Sequence, residues 1–227
     1  MQNIKEYIVT QCRNEFLKDP KTNCRLLKIK ESTAELYEVG IVPETGLISM
    51  LESAGYSGNE IKALNILSFS SRYCFPARNS DGDISAFYFK RSTTSDRQPI
   101  WSLRTYDKNS LYGMNNVVSD KDYILLCESV SDVLACANFG INAVALQNSH
   151  LLNKEQSAFV SQFKTVFLAF DNDDYGMEKS EKAKTHLAEA GVAAIVLSYE
   201  SIDICEAMRD LTQRRLIINQ IKSTVTK

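Results

Sequence analysis

Two histidines, His150 and His186, and six cysteines without a single CxxC pair leave this 227-residue chain with no zinc-ligand spacing. The cysteines, Cys12, Cys24, Cys74, Cys127, Cys136 and Cys205, are scattered. They read as reduced structural thiols, Cys127 and Cys136 as small core residues. No stretch approaches the roughly 20 apolar residues needed to span a bilayer. The N-terminus is charged from its fifth residue and has no signal-peptide core, so a cytoplasmic protein without a membrane partner is expected. Charge excess is lacking too. With 26 Lys+Arg against 28 Asp+Glu the net charge is −2, so any attraction to nucleic acid must come from a local patch. Internal repeats and low-complexity linkers are also absent.

What remains is ordinary globular composition, 44% hydrophobic and 24% charged, with a strong pattern in the last hundred residues. YILLC (123–127), NAVAL (142–146), TVFLAF (165–170) and VAAIVLS (192–198) read as buried strands. Between them VSDVLACANFG (130–140), LLNKEQSAFVSQF (151–163, with Asn153 as N-cap) and YGMEKSEKAKTHLAEAG (175–191) read as helices, and a last helix is predicted from about Asp203 to about Ile221. This alternation predicts an α/β unit with a mostly parallel sheet covered on both faces. Flavodoxin-like and Rossmann-like domains share the pattern. Upstream, residues 2–17 read as a helix. ISMLESAGYSGNEIKALNIL reads as two short helices, RYCFPARNSDGDISAFYFKRS as a β-hairpin, and TTSDRQPIWSLRTYDKNS as a polar loop. Two domains are expected: a smaller N-terminal α+β lobe, 1–115, and a C-terminal α/β lobe, 116–227.

Ligands of a parallel sheet bind beyond the carboxyl ends of its strands, and there this chain is acidic. Glu128 follows YILLC directly and Asp132 lies four residues on. TVFLAF ends in Asp171-Asn172-Asp173-Asp174, and the loop after VAAIVLS leads to Asp203. Converging carboxylates repel one another unless a cation joins them. Hard oxygen donors suit Mg²⁺ or Mn²⁺, which can activate a hydroxyl and neutralise a transferring phosphoryl group. Taken singly, Asp132 or Asp203 reads more readily as a helix cap than as a metal ligand.

A Glu at one strand end and an Asp-x-Asp about 40 residues later at another resemble the Toprim domain. CESVSDVLACANFGINAVAL is similar to the primase pattern EGYxDVxxxxxxGxxNxVA, with Gly140 and Asn142 at matching positions, and AFDNDDYGMEKSEKA is similar to FDGDxAGxxAxxxA. Upstream, RYCFPARNSDGDISAFYFKRS resembles RxxFPIRDxxGxxxGFxGR. LYG at 111–113 matches the LYG that leads into the Toprim strand, and ELYEVGIVPETGLISMLESAGYSGNEIKALNIL resembles the segment that opens the core. Over about residues 35–210, in order, the chain therefore resembles the catalytic core of DnaG-type primases.

The resemblance implies a Toprim lobe, parallel-sheeted and Rossmann-like, beside the smaller N-terminal lobe. It implies Glu128, Asp171 and Asp173 as catalytic, metal-binding acids, with Asp132 and Asp203 as secondary metal acids. Mg²⁺ (or Mn²⁺) is the implied cofactor, with no zinc. Arg72, Arg78, Lys90, Arg91 and Lys108 would contact template and nucleotide, Arg78 and Arg91 being preferred. From Arg72 to Lys108 there are seven Lys/Arg against four Asp, the local basicity that phosphate contact requires.

The departures are specific. EGY reads Glu128-Ser129-Val130, losing a glycine expected to shape the backbone. DGD reads Asp171-Asn172-Asp173, where Asn tolerates a left-handed conformation. DPD reads Asp203-Ile204-Cys205, and PKY reads Pro99-Ile100-Trp101. The zinc-binding and helicase-binding domains of the family are expected to be absent. The closing basic residues Arg214, Arg215, Lys222 and Lys227 read as a solvated helix end or a nucleic-acid tail. Three functions stay open. The first is RNA primer synthesis on single-stranded DNA from NTPs, in a phage or mobile-element setting or with a separate helicase or zinc-bearing partner. The others are a Toprim nuclease and a degenerate core that binds nucleic acid or a replication partner without catalysis.

Overall fold

A computed structural model describes residues 3–66, 69–92, 101–146 and 152–225. The chain divides into two compact units, Met1–Lys108 and Asn109–Lys227. The division falls several residues before the expected 115. The reason is local: Leu111 is fully buried in the second unit's core, and Tyr112 exchanges backbone hydrogen bonds of 2.9 and 3.1 Å with Ala145. LYG is thus part of the parallel-sheet unit, and Gly113 takes the left-handed φ of 85° that turns the chain into a short 3₁₀ helix.

The first unit runs α1 (Ile4–Phe16), α2 (Pro20–Leu27), α3 (Glu31–Leu36), β1 (Gly40–Ile41), α4 (Leu47–Ser53), α5 (Gly58–Ala63), β2 (Tyr73–Arg78), β3 (Ile84–Lys90) and β4 (Trp101–Thr105). The four strands form one antiparallel sheet in the order β1-β2-β3-β4. The first helix, the pair of short helices and the hairpin stand where the sequence predicts them. β4 does not: the segment read as a polar loop supplies a strand that pairs Ala86 with Thr105 through Lys90 with Trp101. Its side chains are only half-buried throughout, so the segment carries no strong apolar alternation. α2 was also not foreseen; Asp19 caps it through Thr22 N–H at 3.2 Å and Pro20 opens it. Ile8, Leu47, Leu51, Phe69, Phe87 and Phe89 form the core with Cys12 and Cys74. α1 meets the sheet closely: a Cβ on Gly40 would lie 2.6 Å from that of Cys12.

Arg78, expected at the nucleic-acid surface, ties this unit together instead. Its guanidinium donates to Glu6 (2.7 and 2.9 Å), Glu38 (2.6 and 2.9 Å) and the Gly82 carbonyl (2.8 Å). Five bonds use all five donors, leaving none for a phosphate. Arg72 is also corrected: it is 1% exposed, its guanidinium 4.6 Å from the Phe69 ring centroid. Acids from α1 and the loop after α3 consume Arg78, and local sequence around the hairpin gives no sign of them.

The second unit runs β5 (Tyr123–Cys127), α6 (Val130–Ala137), β6 (Ala143–Ala145), α7 (Lys154–Val160), β7 (Thr165–Ala169), α8 (Asp174–Glu189), β8 (Ala193–Val196), α9 (Ile204–Arg209) and α10 (Leu211–Val225). Its sheet is wholly parallel, in the order β6-β5-β7-β8. β5 and β7 are adjacent central strands, and their near-continuous apolar runs are buried at Ile124–Cys127 and Val166–Ala169. Asn142 is buried between β5 and β6; its side-chain amide accepts from Val118 N–H (3.0 Å) and donates to Val118 C=O (2.8 Å). The single final helix predicted is two: Asp210 breaks it, its carboxylate accepting Gln213 N–H at 2.8 Å to start α10. Arg214 is turned inward, donating to Met208 C=O at 2.9 Å with its guanidinium 4.2 Å from the Phe139 ring. All six cysteines are free and buried. Pro99 and Ile100 of the substrate-loop motif, His150, Leu151 and Lys227 lie outside the described residues.

Arg78→Ala is expected to lower stability by about 2 kcal/mol, the scale of lost charge-assisted hydrogen bonds discounted for the partial exposure of both acids. Urea unfolding measures it; a change within error would contradict the structural role.

Candidate metal and nucleotidyl-transfer site

The acid-bearing positions come together because β5 and β7 lie side by side and end at one edge. Glu128 leaves β5, and one of its oxygens accepts the Asp171 N–H at 3.1 Å. Asp171 leaves β7 through Phe170. Behind it, Gly176 in the first turn of α8 lies so close that a Cβ would meet the Asp171 carbonyl oxygen at 1.9 Å. Any side chain there displaces the Asp171 backbone.

Three of the acids also take part in helix capping, Asp173 and Asp203 as N-caps and Asp132 as the partner of the Ser129 cap. Asp132 accepts from Ser129 N–H (2.9 Å) and Ser129 Oγ (2.8 Å) in a capping box on α6. Asp173 accepts from Gly176 N–H (2.7 Å), and Asp203 from Glu206 N–H (2.6 Å). A carboxylate offers two oxygens and about four acceptor positions, so capping fixes these groups without exhausting them. Ser129 has φ −126°, an extended backbone. The glycine it replaces in the motif is therefore not required for conformation here, and the serine contributes the cap. Asn172 needs no left-handed backbone either, since it is not among the positive-φ residues. Its N–H donates to Ile202 C=O (2.7 Å) and its Nδ2 to Tyr199 C=O (3.0 Å), joining the β7–α8 turn to the loop before Asp203.

The electrostatics record the crowding. Burial pushes the Asp132 carboxyl up to about 7, against the Ser129 hydrogen bonds and with Asp203 and Asp171 adding to the rise. Asp171 is raised to about 6 by burial and then by Glu128, Asp203 and Asp173, with Lys179 opposing. Burial also raises the Tyr199 phenol, whose hydroxyl donates to the Phe170 carbonyl beside Asp171, with Asp132, Asp171 and Asp203 contributing.

Donor chemistry suits a hard divalent cation at Asp132, Asp171, Asp173 and Asp203, all oxygen ligands. Among the described residues, the group of three potential ligand atoms lying within 4.8 Å of one another is Asp132, Asp203 and Cys205. Glu128, Asp171 and Asp173, expected as the principal set, are joined at one edge but not drawn to that spacing. Cys205 stands where the motif has an acid; burial pushes its thiol up to about 12, and a neutral thiol is no Mg²⁺ ligand.

Lys179 was missed. It lies on the buried face of α8 with Gly176, Ser180, Ala183 and Leu187, and its ammonium is 3.0 Å from the second oxygen of Glu128. Two signals were present: a lysine on an otherwise small and apolar helix stripe, and a lysine where the motif quoted above has alanine. Of the remaining basic residues, Lys90 holds its ammonium 5.1 Å from the Trp101 ring centroid, Arg91 is half-buried and Lys108 is exposed.

Between the ordinary Asp value of 3.8 and about 7, the folded chain retains a proton on Asp132 that the unfolded chain has lost. The native state then binds more protons, so stability falls as pH rises through that window. Urea midpoints without metal are expected to decline between about pH 4.5 and 7, and Asp132→Asn, which keeps a cap acceptor, to flatten the decline. An unchanged slope in Asp132→Asn would contradict this.

Residues 125–208 match a family model described as Toprim-like. A DNA primase of Aquifex aeolicus (strain VF5) is 24% identical over 183 residues, 72% of this chain and 36% of that protein. The chain thus spans about a third of the curated relative's length. The crystal structure of the zinc-binding and RNA polymerase domains of the Aquifex aeolicus primase superposes with a TM-score of 0.79 at 21% identity, over 95% of this chain and 60% of that one. A DnaG primase catalytic domain bound to single-stranded DNA gives 0.81 at 16% identity, over 97% and 77%. The fold is that of a DnaG-type catalytic core, with a Toprim-like parallel-sheet unit. No helix among the described residues is long and apolar enough to cross a membrane.

Proposed function

We propose that this chain, a Toprim-bearing relative of DnaG-type primase cores, synthesises RNA primers on single-stranded DNA. In this reaction a 3′-hydroxyl attacks the α-phosphate of an incoming NTP, and pyrophosphate leaves. The observation that carries the reading is the convergence of Asp132, Asp171, Asp173 and Asp203 at one edge of the parallel sheet, where burial, and then neighbouring negative charge, raises Asp171 to about 6. Mg²⁺ or Mn²⁺ bound by these acids would neutralise charge on the triphosphate and lower the pKa of the attacking hydroxyl.

The chain's own residues supply the frame. Glu128 holds the Asp171 backbone by its N–H, Gly176 lets α8 close against the same loop, and Asn172 and Tyr199 fasten its two sides. Asp173 and Asp203 are oriented by the helix amides they cap. Lys90, Arg91 and Lys108, among the basic residues of the first unit, would meet template or nucleotide phosphates. The single-stranded DNA bound by the similar DnaG catalytic domain supports that template class.

A second reading has one observation in its favour. Lys179 already neutralises Glu128, as suits a core that binds nucleic acid without catalysis.

Primer synthesis on single-stranded DNA with labelled NTPs and Mg²⁺ or Mn²⁺ separates them. Short RNA products are expected from the wild type, and a loss of at least about a hundredfold from Asp171→Ala/Asp173→Ala. No product from the wild type, with single-stranded DNA still bound, would favour the binding reading. Plasmid cleavage without NTPs would favour a nuclease.

A further inference from the structure

The buried face of α8 carries one charge. Lys179 is 8% exposed, and its partner Glu128 is 19% exposed. A buried ammonium is costly unless paired, and this one is paired twice: with Glu128 at 3.0 Å and with the face of Phe170, 4.7 Å from the ring centroid. Neither partner is adventitious. Phe170 and Glu128 directly follow the two central strands, and the other Glu128 oxygen accepts the Asp171 N–H. Both oxygens of Glu128 are therefore engaged from within the chain, one by an ammonium and one by the amide of the neighbouring acid.

The geometry points to Lys179 as a built-in cation that takes the Glu128 side of the acid edge in place of a metal ion. We propose that it limits the chain to a single divalent ion, held on the Asp132, Asp171, Asp173 and Asp203 side, with Glu128 acting as a positioning residue for Asp171 rather than as a ligand. This rests on the divalent-cation reading above and deepens it. Full positive charge within 3.0 Å of Glu128 repels a second ion there, and the low local dielectric strengthens that repulsion. Lys182, one turn end further along, is a contrast: it is 59% exposed and pairs with Glu178 on the helix surface.

The test is a Mn²⁺ titration of the full chain, with free Mn²⁺ read from its EPR signal, on wild type, Lys179→Met, Glu128→Gln and the control Lys182→Met. Wild type and Lys182→Met are expected to bind one equivalent and Lys179→Met two. Glu128→Gln is expected to keep the single wild-type ion with its affinity changed by less than about threefold, a shift smaller than one charged ligand supplies. Thermal melts in chelator and in Mn²⁺ add a second readout: Lys179→Met, with Glu128 left uncompensated, is expected to be rescued by Mn²⁺ more than wild type is. Equal stoichiometry in wild type and Lys179→Met would overturn the inference alone, and so would loss of the ion in Glu128→Gln. That last arm decides the matter even if Lys179→Met fails to fold. No Mn²⁺ on any protein would overturn both the inference and the divalent-cation reading.

Discussion

Carboxylates crowded at the edge of a parallel sheet repel one another, and the second unit is organised around containing that repulsion. β5 and β7 must be adjacent for Glu128 and Asp171 to meet. Once they are, helix N-termini absorb part of the charge: α8 and α9 are capped by Asp173 and Asp203, and Asp132 completes the capping box that Ser129 opens on α6. Lys179 absorbs another part. Burial first, and then the repulsion left over, raises the carboxyls of Asp132 and Asp171, and a cation would relieve the second of these. Gly176, Asn172 and Tyr199 serve the same end by fixing where the Asp171 loop lies. Structural and functional readings of these acids are therefore not rivals, since the caps that orient the carboxylates also hold them where an ion would need them.

Most of this unit was legible from sequence because its signals are local. Buried strand runs, helix stops such as Gly140 and the Asn153 cap each involve a few consecutive residues. The acids were legible because a parallel sheet delivers strand ends to one side. What escaped were features set by distant partners. Arg78 looks like a phosphate-binding arginine until Glu6 and Glu38 are brought to it across 72 and 40 residues of chain. β4 was hidden because its side chains are half-buried and alternate weakly. Lys179 was passed over because a motif match weighs the positions that agree. The break at Asp210 was unseen because an aspartate inside a helical pattern is read as a surface charge until its carboxylate is found on Gln213 N–H.

The motif departures acquire different weights once their surroundings are known. Glycine to Ser129 and glycine to Asn172 are accommodated, each replacing backbone freedom with a hydrogen bond. Acid to Cys205 removes a hard ligand from beside Asp132 and Asp203 and puts a neutral thiol in its place. Alanine to Lys179 adds a charge. The last two shift the edge in one direction, toward fewer ionic ligands and more internal compensation, the direction that the single-ion proposal requires.

The most direct measurement is an anomalous-difference map from crystals of the full chain saturated with Mn²⁺ and a non-hydrolysable NTP. Expected is a Mn²⁺ peak at coordination distance from Asp171 or Asp173 and from Asp203 or Asp132, with the Lys179–Glu128 pair intact. A map with no Mn²⁺ at coordination distance from any of these carboxylates would contradict a metal-dependent acid edge, and with it the mechanism built on it.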